Sequence, residues 1–190
     1  MKKIFFSILV LISTGLFAQD TIRVMQYNLL NYGLNIFGCS NSAAAMAIKD
    51  ANFKKIIKEI NPDVLAVNEM ANNAIYGDRI LQNVLNTDGI DNYERGVLTN
   101  FASSNIVNML FYNSDKLVLH SEEAIQAPVR DINLSRLFYK DSLLGTGIDT
   151  VFITVINGHL KAGSSSSDRN QRDLMTQEVI SLLSSKGFRD

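Results

Sequence analysis

Several resources are scarce in this sequence, and each scarcity excludes a class of protein. A single cysteine in 190 residues excludes a disulfide scaffold. Two prolines and 11 glycines exclude a collagen-like or proline-rich chain. An excess of one charge is missing too. With 18 basic against 19 acidic residues, the chain carries no electrostatic footprint of a histone-type nucleic-acid module. No apolar run reaches the about 20 residues that a membrane-spanning helix needs. What is present is 46% hydrophobic residues and a net charge of −1. That excludes a disordered tail and leaves one globular domain, or a large piece of a bigger one.

The first residues read as an address. Met1-Lys2-Lys3 is a basic start, Ile4 to Ile12 is apolar apart from Ser7, and Phe17-Ala18-Gln19 offers a cleavage point after Ala18. This is the layout of a secretory signal peptide over residues 1–18, and the run is too short for an anchor. The expected product, 19–190, is secreted or extracytoplasmic, with no stable membrane insertion after cleavage. It keeps 16 basic and 19 acidic residues, a charge of −3. Export leaves Cys39 three options: pairing outside the chain, staying free, or filling a loop as a small half-buried residue.

The exported part shows no repeat and no linker. Alternation over Thr21–Tyr27 predicts a strand, and Asn28–Ala47 reads as a loop. Phe53, Ile56, Ile57 and Ile60 predict a helix over Asp50–Ile60, ended by Asn61-Pro62. Val64–Val67 predicts a strand covered on both faces. Ile80, Leu81, Val84 and Leu85 predict a helix over about Gly77–Asn86. Ile106–Tyr112 and Lys116–His120 predict strands joined by Asn113-Ser114-Asp115 as a hairpin. Arg130–Tyr139 predicts a strand, Leu144–Asp149 a turn, and Val151–Ile156 a central strand. Asp168 with Gln171 predicts a capping box for a closing helix, whose apolar face is Met175, Val179, Leu182 and Leu183. Strands mixed with helices and hairpins predict a layered α/β domain. No glycine-rich phosphate fingerprint follows the first strand, which excludes a plain dinucleotide-binding unit.

Polar residues at the C-terminal ends of apolar strands are the candidates for chemistry. Glu69 could hold a hard cation, cap a helix or form a surface ion pair. His159 could be an acid or base near neutral pH, or a core histidine bound to a carbonyl. Asn28 could hold a phosphate oxygen or orient a metal ligand, or simply start a turn.

Four segments, in order, resemble the endonuclease/exonuclease/phosphatase superfamily. They are Arg23 to Gly33 (RVMQYNLLNYG), Pro62 to Met70 (PDVLAVNEM), Phe111 to Leu117 (FYNSDKL) and Asn157 to Gly163 (NGHLKAG). The resemblance spans about residues 21–185. It implies a DNase I-like layered α/β sandwich, two packed mixed sheets flanked by helices. It implies a secreted Mg²⁺-dependent phosphodiesterase (Mn²⁺ or Ca²⁺ as alternatives), with a nuclease as the expected member. Nucleic acid or another phosphodiester is the implied substrate. By the same resemblance Glu69 is a metal ligand, and Asn28 serves the metal or the phosphate. His159 acts on the phosphate, and Arg130 and Asn157 bind it. Tyr112 is assigned to the core and His120 to structure. Lys161 and Arg172 are assigned to solvated surface, within reach of a phosphate.

The family pattern also has a second half, with Gly-Asp-x-Asn and Ser-Asp-His, and neither occurs here. The expectation is therefore an incomplete domain that supplies mainly the first sheet. Its inner face would be left open for a missing C-terminal half, and its activity would be weak or absent. In some members an acid ahead of the Phe111 strand pairs with the histidine, but Ser103 to Asn108 (SSNIVN) holds none. The alternative reading is a non-catalytic extracellular binding module that keeps the fold.

Overall fold

The computed structural model describes residues 21–140 and 150–187. The signal peptide expected over 1–18 and the turn expected over 144–149 lie outside these. Chain order is β1 (Val24–Tyr32), α1 (Ala43–Ile60), β2 (Val64–Ala71), α2 (Ala74–Ile80), β3 (Tyr93–Arg95), β4 (Ile106–Asn113), β5 (Leu117–Ile125), β6 (Ile132–Tyr139), β7 (Phe152–Asn157) and α3 (Ser166–Ser185). A four-stranded mixed sheet has the order β1-β2-β4-β3, with β1 and β2 parallel and the other pairs antiparallel. A three-stranded sheet, β5-β6-β7, is antiparallel.

Alternation along the strands decides the layers. Met25, Leu65, Val67, Val107, Met109 and Phe111 face Met46, Phe53 and Ile57 of α1 in one buried cluster. Val64, Ala66, Leu110 and Tyr112 point the other way and bury against Leu117 and Leu137 of the second sheet. β2 is thus covered on both faces, as its unbroken apolar run predicts. The inner face of the first sheet is not left bare, as the sequence led us to expect. The chain's own β5–β7 covers it at β2 and β4, and exposure remains at the flanking strands, at Val24 of β1 (60% exposed) and Glu94 of β3.

α1 begins at Ala43, well before the expected Asp50. Ser42 caps it by accepting from the Ala45 N–H, and the alanine run that follows is the best helix former. Met46 is buried on the same stripe as Phe53 and Ile57, but alanines around it hide the period. The helix ends where expected, with Asn61 in the left-handed conformation (φ 48°) and its N–H on the Ile57 carbonyl. α2 likewise starts earlier than expected, at Ala74 behind the Asn73 cap, and continues as a π-helical turn over Leu81–Leu85. Gly33 (φ 90°) lets the end of β1 pass under α2, where a Cβ would lie 2.7 Å from the Tyr76 ring.

The expected hairpin between β4 and β5 does not form. β4 already has a neighbour on each side, β2 and the three-residue β3, so the chain leaves Asn113 for the other sheet. Asp63, almost fully buried, anchors this corner. Its carboxylate accepts from the Arg23 N–H at 2.9 Å and pairs with Lys116 at 3.1 Å, while its carbonyl accepts from the Asn113 N–H. β7, expected to be central, is an edge among the described strands, and Phe152 and Ile156 are partly exposed. Asp168 is the third helical residue of α3 rather than its cap. Ser165 is the cap, and the two side chains satisfy each other's backbone N–H. α3 rests on the outer face of the second sheet through Met175 and Val179, two of the four residues expected on its apolar face.

Candidate active site

Parallel pairing puts the C-terminal ends of β1 and β2 at one edge, and both ladders break there. The β1–β2 register shifts between Asn28 and Tyr32, and the β2–β4 register shifts between Val67 and Met70. Leu30, Asn31 and Glu69 take left-handed backbone conformations in these bulges, at φ 50°, 55° and 60°. A bulge re-aims a side chain, and a non-glycine residue at such a φ is strained. Glu69 is the one residue of β2 that is not fully buried, with its side chain 16% exposed.

Three groups receive its carboxylate. The Asn28 amide donates to Oε1 at 2.9 Å, the Asn31 N–H donates to Oε2 at 3.2 Å, and His159 Nε2 lies 3.4 Å from Oε1. His159 follows β7, so the second sheet meets the first here. Burial pulls the His159 pKa below 6.5, the Arg130 charge pulls the same way, and only Glu69 opposes them. The imidazole is therefore neutral at neutral pH. Its 3.4 Å approach to Glu69 is therefore not an ion pair at that pH. Nδ1 of His159 is buried with no partner among the described residues, in keeping with the missing acid ahead of β4.

Arg130 stands behind this pair. One of its guanidinium N–H groups donates to the His159 carbonyl at 2.9 Å, and its Nε has no partner among the described residues. Burial lowers its pKa and nearby Glu69 raises it. The structure thus brings together Asn28, Glu69, His159 and Arg130. Asn157, expected on the phosphate, belongs elsewhere. It is 4% exposed, and its amide donates to the Val67 and Met109 carbonyls and accepts from Asn68. Lys161 pairs with Asp168, and Arg172 donates to the Lys161 and Gly163 carbonyls, so both hold the loop before α3. Tyr112 is buried, as expected. His120 sits away from the site, against Phe138 and Phe152. Cys39 is a free, half-buried thiol that donates to the Leu30 carbonyl.

Sequence reasoning missed Asn31, Asn68 and Asn108. Asn108 left a signal: it is the polar residue inside the apolar run Ile106 to Tyr112, and a buried amide must find partners. Asn31 left none, since it contributes its backbone N–H.

A hard cation fits the donors at this edge. Among the described residues no three His, Cys, Asp or Glu side chains gather. Mg²⁺ needs only one or two carboxylates and completes its shell with water and phosphate oxygens, and Glu69 supplies one at the rim.

Solved structures share this architecture. ANGEL2, a 2′,3′-cyclic phosphatase, in complex with adenosine-2′,3′-vanadate, matches with a TM-score of 0.56 and 16% identity, over 85% of this chain and 48% of its own. An endonuclease/exonuclease/phosphatase family protein from Bacteroides thetaiotaomicron matches at 0.53 and 12%, over 85% and 58%. The chain has the DNase I-like fold. TDP2 from D. rerio, complexed with a single-strand DNA product, shows the same DNase I-like match at 0.52 and 9%, over 89% and 56%. The chain spans about half the length of these structures. No family model and no curated protein matches it.

Proposed function

We propose that this chain carries the metal and histidine side of an exported, Mg²⁺-dependent phosphodiesterase site, with nucleic acid as the substrate. The observation that carries the reading is the meeting of Glu69 and His159, from different sheets, at the strand ends beside Asn28 and Arg130. The solved structures with this fold include a phosphatase and a DNA-binding protein, which supports a phosphoester substrate.

Glu69 would hold the cation, with Asn28 fixing the carboxylate. When bound, Mg²⁺ or Mn²⁺ supplies charge neutralisation at phosphate oxygens. Neutral His159 presents an N–H to a phosphate oxygen or to the leaving oxygen, and Arg130 keeps that loop in place. The base that activates water for in-line attack is proposed to lie in the second half of the fold. That half would pack beside β1 and β7, which are edges among the described strands.

Two versions test this: residues 19–190, and the same chain with whatever follows it in its reading frame. Each is assayed for Mg²⁺-dependent cleavage of DNA, RNA and bis-p-nitrophenyl phosphate, with a Glu69→Ala control. Activity confined to the longer version and lost with Glu69→Ala is expected. Loss of a general base alone removes about 10²–10⁴-fold in rate. Activity of the short version would overturn the missing base. Inactivity of both as folded proteins would favour the non-catalytic module.

A further inference from the structure

Beneath the pair lies a buried network of side-chain amides that links both sheets. Asn68 precedes Glu69, and Asn157 lies two residues before His159. The Asn68 amide donates to Asn108 Oδ1 and to Asn157 Oδ1, both at 2.8 Å. Gln26 of β1 donates to Asn68 Oδ1. Asn108 donates to the Asp131 carbonyl at 2.9 Å and the Asn157 carbonyl at 3.1 Å. Asn157 donates to the Val67 carbonyl at 3.0 Å and the Met109 carbonyl at 3.3 Å. Each of the three asparagines therefore uses both amide hydrogens and one of the two acceptor positions of its oxygen. All three are 2–4% exposed.

The placement matches the break in the first sheet. Val67 and Met109 are the last facing residues of β2 and β4 before the register shifts. Asn157, reaching across from the second sheet, occupies both of their carbonyls. An apolar contact between the layers is non-directional. A fully satisfied amide network is directional and accepts one register.

We propose that the amides of Gln26, Asn68, Asn108 and Asn157 form a lock that sets the register of the two sheets and thereby holds His159 against Glu69. Asn68 and Asn157 are then positioning residues, acting through Glu69 and His159. The inference rests on the reading of that pair as the site.

The test uses the whole chain, and two readouts. One is the nuclear Overhauser contact between the His159 ring and the Glu69 side chain, without metal. The other is affinity for Mn²⁺. Only two histidines occur, so His120 serves as an internal control. Asn68→Leu breaks the lock. The milder variant Asn68→Ser keeps a polar group in the space but has one hydroxyl hydrogen and cannot bridge Asn108 and Asn157. Expected in a folded variant are loss of the His159–Glu69 contact, unchanged His120 signals, and about 10–100-fold weaker Mn²⁺ binding. Persistence of the contact in a folded variant overturns the lock, and so does failure of both variants to fold, which would make the amides general fold residues. A wild-type chain that shows the contact but binds no Mn²⁺ counts against the proposed function alone. In that case the contact still decides the lock.

Discussion

Glu69 holds a left-handed backbone conformation, φ 60°, without glycine's freedom. The left-handed conformation costs an ordinary residue about 1–2 kcal/mol, and glycine escapes most of it. Glu69→Gly should therefore be more stable than Glu69→Ala by about 1 kcal/mol in urea unfolding, while both lose Mn²⁺ binding. Equal stabilities would show that the bulge relaxes once the carboxylate is gone. His159 carries the pH dependence. Its folded pKa lies below the 6.5 of an unfolded histidine, so above that value it is neutral in both states and contributes nothing. As pH falls below 6.5 the unfolded chain takes up a proton that the folded site refuses, and stability drops. The thermal midpoint should fall between about pH 7.5 and about pH 5.5, and fall less in His159→Gln. An equal fall in both proteins would assign the loss to other groups.

At the scale of elements, short-range signals were readable where one physical cause acts alone. The end of α1 at Asn61-Pro62, the buried run of β2 and the placement of Glu69 and His159 at strand ends follow from local sequence. The start of α1 did not, because Ala43 to Ala47 satisfies helix propensity without leaving an apolar period. The cap there is open to test. Ser42→Ala should cost about 1 kcal/mol in the thermal or urea transition. A change within error would mean that the alanine run nucleates without help. The hairpin between β4 and β5 failed for a non-local reason. Tyr93 to Arg95 is too short to read as a strand, yet it takes the edge of β4 that β5 would have used. Asn157 was misassigned similarly. Its partners Val67, Met109 and Asn68 are distant in sequence, and nothing local distinguishes a buried amide from a phosphate ligand.

For the whole molecule, the first sheet is the middle layer, with α1 and α2 on one side and β5–β7 on the other. Stability should concentrate there. Phe111 is fully buried, so Phe111→Ala should lose about 3–5 kcal/mol in urea unfolding. Phe37 is 91% exposed, and Phe37→Ala should stay within about 0.5 kcal/mol of the wild type. A large loss at Phe37 would reveal a contact that this fold does not contain. The layer arrangement was legible as a class, since strands mixed with helices leave few alternatives. The division of strands between two sheets was not, because it depends on which edges are already taken.

The amide of Asn157 also bears on how the protein ages. Asn157 is followed by Gly158, the pair most prone to deamidate, because glycine's backbone nitrogen can attack the side-chain carbonyl. In the folded chain the extended backbone of β7 and the three hydrogen bonds of that amide hold the attack geometry off. Each excursion to the unfolded state removes that protection, and heat-labile asparagine chemistry can then proceed. Isoaspartate at Asn157 should accumulate in proportion to time spent unfolded and be readable by peptide mass mapping. The product is a carboxylate where the fold needs an amide. One chemical event would then make the unfolding of that molecule irreversible.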